Sequence, residues 1–175
     1  GIEDCKNKKT VMLENGKTIQ ADVIVVATGV KPNISFLKGS SIKVDQGVIV
    51  NNKLESNIQN IYAAGDVAQG PDFLTSGWSV HAVQPTGVEH GRIASLSMTG
   101  QDINYRGSLN MNVLDTLGLV SCSFGLWEGI EGGHQVKRLD EENFRYTVLS
   151  FDEDRLVGAL LIGRTENIGI VRGLI

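Results

Sequence analysis

The sequence predicts an α/β region followed by an α+β region built on an antiparallel sheet. Three observations carry this. The run Asp22 to Thr28, DVIVVAT, is continuously apolar and β-branched from Val23 to Ala27, the pattern of a strand covered on both faces in a parallel sheet. A helical segment lies between Pro85 and Gly100, residue types that suit the first turn and the residue after the C-cap. After Gly107 the chain breaks into short extended runs separated by turn residues, which indicates an antiparallel meander.

In chain order, Val11 to Glu14 and Lys17 to Gln20 flank Asn15-Gly16, a strong hairpin signal. The DVIVVAT strand follows, and Gly29 and Pro32 close it. Ile34 to Lys38 is expected to form one helical turn. Ile42 to Val44 and Val48 to Val50 form a small hairpin about Asp45-Gln46-Gly47, and Asn51 to Gln59 is polar and read as a loop. Ile61 to Ala64 is read as a short buried strand, and 69–77 as irregular. The helix is expected over 85–99, with a stripe of Val83, Gly87, Gly91, Ala94 and Met98 facing a sheet. Strands are expected at Asn110 to Leu114, Leu119 to Phe124, Gln135 to Leu139, Phe144 to Phe151 and Leu156 to Ile162. A final helix is expected over 167–175, and Trp127 is read as a packing anchor.

Composition narrows the function classes. With 41% hydrophobic and 21% charged residues, the chain has enough apolar material for a core. A net charge of -4 without a basic cluster argues against nucleic acid as a partner. No run is apolar enough for a membrane span and no signal peptide is visible, so a cytoplasmic location and no membrane partner are expected. Cys5 and Cys122 stand far apart and are read as free thiols in a reducing compartment. His81, His90 and His134 show no metal-ligand spacing. They are read as ordinary surface or packing residues, and no metal is expected. Asn33-Ile34-Ser35 fits the glycosylation sequon, but without other signs of secretion it is read as accidental.

The most informative segment is NIYAAGDVA, Asn60 to Ala68. Ala63, Ala64 and Gly65 carry almost no side chain, so a ligand can approach the backbone there. Asp66 is an acceptor-only carboxylate beyond a strand end, suited to hydroxyl groups. A plain strand-to-turn junction explains the same residues, and at this point both readings stand. The N-terminal end of the helix that follows offers free N–H groups and a positive dipole end to a ligand, or it simply packs.

Three segments in this order resemble the C-terminal half of FAD-dependent pyridine nucleotide-disulfide oxidoreductases. Ala21 to Asn33, ADVIVVATGVKPN, resembles the strand and turn by which the chain leaves the NAD(P)H domain. NIYAAGDVA resembles the second FAD motif, and Gln84 to Ser95, QPTGVEHGRIAS, the helix whose N-terminal end faces the flavin ring. The last seventy or so residues resemble the interface domain, with Leu156 to Gly163, LVGALLIG, similar to its late strand. The subgroup resembled holds nitrite reductase, rubredoxin reductase and NADH oxidase flavoproteins. The glutathione reductase type instead carries a His-x-x-Pro-Thr near its C-terminus, which is missing here.

The resemblance implies a partial Rossmann-like FAD/NAD(P)-binding domain and a C-terminal α+β interface domain. The boundaries expected are 1–34 for the end of the NAD(P)H domain and crossover, 35–104 for part of the FAD domain, and 105–175 for the interface domain. It implies an oxidoreductase in which NAD(P)H reduces FAD and FAD passes electrons to an acceptor. Asp66 would hold the ribityl chain beside Gly65. Pro85, Thr86 and Gly87 would lie near the pyrimidine edge of the flavin, and Thr28 and Gly29 would line the crossover. No catalytic residue is assigned. No two glycines are separated by a single residue, so the Gly-rich dinucleotide fingerprint of the family's first half is missing. The chain is therefore expected to be a fragment, inactive alone, whose partners are the missing N-terminal half and further copies in a homo-oligomer. Whether it retains FAD is left open. The alternative is a non-catalytic association module with no cofactor.

Overall fold

The computed structural model describes residues 1–5, 8–163 and 166–175. Residues 1–30 and 31–175 form two separate compact units. In the first, β1 (Ile2–Cys5), β2 (Lys8–Met12) and β3 (Thr18–Ala21) make an antiparallel sheet in that order. Asn15-Gly16 turns the β2–β3 hairpin as expected. Gly16 has φ +79°, and the Lys17 N–H donates to the Asn15 side-chain oxygen at 3.1 Å.

The expected buried strand over 22–28 does not form. Those residues adopt no regular structure, and Val23, Val25 and Val26 are 75%, 83% and 70% exposed. A parallel strand needs hydrogen-bonded neighbours and covered faces. No strand among the described residues pairs with this run.

In the second unit, a single 3-10 turn covers Ser35–Leu37, where one helical turn was expected. β4 (Val48–Ile49), β5 (Ala68–Pro71) and β6 (Trp78–Ser79) form a small sheet, β4–β5 parallel and β5–β6 antiparallel. The turn at Asp45-Gln46-Gly47 closes on an antiparallel bridge between Val44 and Val48.

Ile61 to Ala64 is not a strand. Tyr62 makes a single bridge to Glu55, and Ile61 is exposed. The buried strand is β5, inside the stretch expected to be irregular, and all four of its residues are buried. Its sequence, AQGP, is weakly hydrophobic. It is buried because small residues allow close approach, since a Cβ at Gly70 would lie 3.5 Å from Val50 and 3.8 Å from the His90 ring. The Gln69 side chain also accepts the N–H groups of Gln46 and Gly47, at 3.0 and 3.2 Å. The core here joins Val48, Val50, Leu54, Ala68, Ile93, Ala94 and Tyr105. Leu54 is fully buried within the mostly polar 51–59 loop.

The helix α1 runs Gln84–Met98 and stops at Thr99, followed by Gly100 at φ +80°. Its buried face is Thr86, His90, Ile93, Ala94 and Ser97. That face is rotated from the expected stripe, for Gly91 is exposed and Met98 is 61% exposed. The buried hydrogen bonds of His90 to Gly65 and Ser108 hold the Thr86–His90 side inward.

The C-terminal strands form at the expected places. β7 (Met111–Thr116), β8 (Leu119–Gly125), β9 (His134–Asp140), β10 (Arg145–Asp152) and β11 (Arg155–Ile162) build one five-stranded sheet. The order is β7-β8-β11-β10-β9 and every pair is antiparallel. It is not a simple meander, because β11 inserts between β8 and β10. Cys122, Phe124, Ala159 and Leu161 form its core, against which Ile168 and Val171 of α2 (Ile168–Gly173) pack.

Candidate functional site

The turn after Ala64 is a 3-10 turn, Gly65–Val67. Gly65 has φ +74°, a left-handed conformation that glycine adopts without steric cost. A Cβ at Gly65 would lie 3.9 Å from the Cα of Gly87, and one at Gly87 would lie 3.9 Å from the Cα of Gly65. Two backbones therefore meet here, the Gly65 turn and the first turn of α1.

Asp66 is exposed, and among the described residues no hydrogen bond or ion pair engages its carboxylate. It is an acceptor open to solvent, one residue from the Gly65–Gly87 contact.

The N-terminal end of α1 supplies donors. Val83 is an extended N-cap whose side chain makes no capping bond, and the first turn holds no acidic residue. The Gly87 N–H closes the first helical bond, on the Val83 carbonyl at 3.1 Å. That leaves the N–H groups of Gln84 and Thr86 without intrahelical partners, at the positive end of the helix dipole. Pro85 is exposed and has no N–H, while Thr86 is buried. Thr28 and Gly29 belong to the first unit, where both are exposed, Gly29 with φ +86°.

Two side-chain groups are also organised in this unit, one built on His90 and one on Asp72 with His81, where the sequence read both histidines as ordinary surface or packing residues. His90 is 2% exposed. Its Nδ1 accepts the Gly65 N–H at 3.2 Å, and its Nε2 lies 3.2 Å from the Ser108 hydroxyl. Burial, and then the nearby charge of His81, lower the His90 pKa.

Asp72 caps a turn with Oδ1, which accepts the N–H groups of Leu74 and Thr75 and the Thr75 hydroxyl. Its Oδ2 lies 3.1 Å from Nε2 of His81, an ion pair when that imidazole is protonated, with both side chains largely buried. They border a cavity of about 270 Å³ also lined by Gln46, Ser79 and Asn110. Burial works to raise the Asp72 pKa, but the contacts from His81, Thr75 and Leu74 outweigh it and hold it at about 2. Asp72 and His81 carry no local signal.

Comparison with known proteins bears on the family. Residues 1–86 match the pyridine nucleotide-disulphide oxidoreductase family, and residues 111–175 match the rubredoxin NAD+ reductase C-terminal domain. The chain belongs to the pyridine nucleotide-disulfide oxidoreductase family. It is 35% identical over 144 residues to the epsilon subunit of an NADH-dependent phenylglyoxylate dehydrogenase of Aromatoleum evansii, covering 81% of this chain and 34% of that one. It is 28% identical over 154 residues to an NADH-rubredoxin oxidoreductase of Clostridium acetobutylicum, covering 86% and 38%. A ferredoxin reductase of Rhodopseudomonas palustris superimposes with a TM-score of 0.84 over 98% of this chain and 42% of its own, at 20% identity, a likeness of fold.

The expected fold class therefore holds: part of an FAD/NAD(P)-binding Rossmann-like domain, then an α+β domain with an antiparallel sheet. The chain spans about a third of the length of these curated relatives. Among the described residues, no helix is long and apolar enough to cross a membrane, and no His, Cys, Asp and Glu group could hold a metal ion.

Proposed function

We propose that this chain supplies the flavin-facing part of an NAD(P)H-dependent flavoprotein oxidoreductase. The observation that carries the reading is the open Asp66 carboxylate beside the Gly65–Gly87 backbone contact and the uncapped end of α1. The donor and acceptor set fits the flavin end of FAD. Asp66 accepts from ribityl hydroxyls, while the Gln84 and Thr86 N–H groups and the helix dipole favour electron-rich atoms at the pyrimidine edge. Pro85 and Gly87 keep that helix end narrow. Nothing in the chain offers a Gly-rich phosphate loop.

When bound, FAD supplies the redox chemistry between NAD(P)H and an acceptor. The protein's own part is to hold the ribityl chain and bias the electrostatics at the helix end. In this reading residues 1–34 end the NAD(P)H domain, with Thr28 and Gly29 at the crossover. Residues 35–104 belong to the FAD domain and 105–175 to an interface domain that supports a homo-oligomer. The test is Asp66→Ala in the full-length gene product. Its FAD dissociation constant is expected to rise roughly tenfold or more for loss of a charged hydrogen bond. An unchanged constant contradicts the reading.

A second reading, association without cofactor, is favoured by the exposed apolar row Val23, Val25, Val26 and Val30 in the first unit. A light-scattering mass equal to one chain argues against it.

A further inference from the structure

The Gly65 turn is tied to α1 by one side chain. The Gly65 N–H donates to Nδ1 of His90 at 3.2 Å, His90 Nε2 meets Ser108 Oγ at 3.2 Å, and Ser108 Oγ meets the Tyr105 hydroxyl at 2.7 Å. His90, Ser108 and Tyr105 are 2%, 3% and 4% exposed. The His90 ring also stands edge-on to Tyr105, with centroids 5.4 Å apart. A ring nitrogen that accepts a hydrogen bond holds no proton, so the neutral imidazole carries its proton on Nε2 and donates it to Ser108.

We propose that His90 is a positioning residue of the candidate flavin site, holding the Gly65 amide and thereby the turn that presents Asp66 to the end of α1. The proposal rests on the flavin reading of Asp66. His90 lies on α1 and its acceptor atom grips the residue next to Asp66, so this hydrogen bond, beside the Gly65–Gly87 backbone contact, sets the turn against the helix. Ser108 and Tyr105 hold the far side of the ring, while the Gly65 N–H fixes the tautomer. A merely space-filling histidine needs only its volume. A positioning histidine needs an acceptor at the Nδ1 place, which the amide of Asn reaches and that of Gln, one bond longer, overshoots toward Nε2.

The test compares His90→Asn with His90→Gln. FAD dissociation constants are read by flavin fluorescence on the deflavinated full-length gene product. Exchange of the Gly65 amide and the His90 ring nitrogen shifts are read by NMR on the 175-residue chain. His90→Gln is expected to weaken FAD binding roughly tenfold, the scale of a lost hydrogen bond at a partly buried amide, and to speed Gly65 exchange. His90→Asn is expected to stay within about threefold of wild type.

Equal constants for the two variants, or a protonated Nδ1 in wild type, overturn the proposal. If neither variant folds, the wild-type tautomer and the Gly65 protection decide it. Asp66→Ala run alongside separates the failures. FAD binding that is insensitive to Asp66 removes the flavin reading itself, whereas binding sensitive to Asp66 but not to His90→Gln removes only the role of His90.

Discussion

Gly65 and Gly87 face each other, yet alanine at the two positions is expected to change stability in opposite directions. At Gly65 the backbone is left-handed, φ +74°, and an L side chain there costs about 1–2 kcal/mol. The entropy alanine removes from the unfolded chain returns about 0.4–1 kcal/mol of that. The new methyl would sit 3.9 Å from the Gly87 Cα, an ordinary contact that adds no overlap. Gly65→Ala should therefore destabilise by about 1 kcal/mol.

Gly87 lies in the first turns of α1 and has no positive φ. Alanine gains roughly 0.5–1 kcal/mol over glycine in a helix, and its methyl meets only the Gly65 Cα, at 3.9 Å. Gly87→Ala should stabilise. The two variants should differ by about 2 kcal/mol, or on the order of 5 °C in Tm for a chain of this size. Thermal unfolding followed by far-UV circular dichroism measures this directly. A Gly87→Ala protein that melts below Gly65→Ala would show that crowding between the backbones, not the dihedral at Gly65, sets the cost.

Three further outcomes are expected. Asp72 has a folded pKa of about 2 against an ordinary 3.8, so its contribution is complete above pH 3.8 and is lost as pH falls toward 2. That is worth about 2 kcal/mol, and urea unfolding of Asp72→Asn should be flatter than wild type over that window. His90 has a folded pKa below its ordinary 6.5, so its stabilisation is present above pH 6.5 and fades as pH drops below it. The charge that acts on it is that of His81, which lies beside Asp72. The neutral Tyr105 phenol stands edge-on to its ring, and the titratable and charged neighbours on its own helix are Glu89 and Arg92. His90→Asn should lose less stability than wild type between pH 6.5 and 5, again by urea titration. Cys122 is 1% exposed, and burial pushes its thiol pKa up. Thiol labelling with peptide mapping should find Cys122 unmodified in the native chain and modified in denaturant.

Local patterns were readable where the structure answers to local rules. All five C-terminal strands and the ends of α1 lie where alternation, turn residues, Pro85 and Gly100 put them. The run Val23 to Ala27 misled because continuous hydrophobicity says that a strand wants neighbours and cannot say whether they are present. The buried strand fell on Ala68–Pro71 instead of Ile61–Ala64 because Gly70 and Gln69 are buried by close approach and hydrogen bonding, which hydropathy does not weigh. The rotation of α1 has the same origin. A stripe of small residues suggested one face, whereas the buried hydrogen bonds of His90 turned another inward. At the site, Gly65 and Asp66 stood out as a motif. The grip of His90 on Gly65 spans 25 positions and had no sequence signature.

The place of β11 has a consequence for biosynthesis. It is the last of the five strands to be made, yet it lies between β8 and β10, with Gly158 opposite Gly125. Until residues 155–162 leave the ribosome, the β7–β8 and β9–β10 hairpins each present an open edge with unpaired backbone groups. Such edges recruit other chains. A nascent chain stalled before Arg155 should therefore be a substrate for chaperones, and release of the eight residues of β11 is the step that closes the sheet.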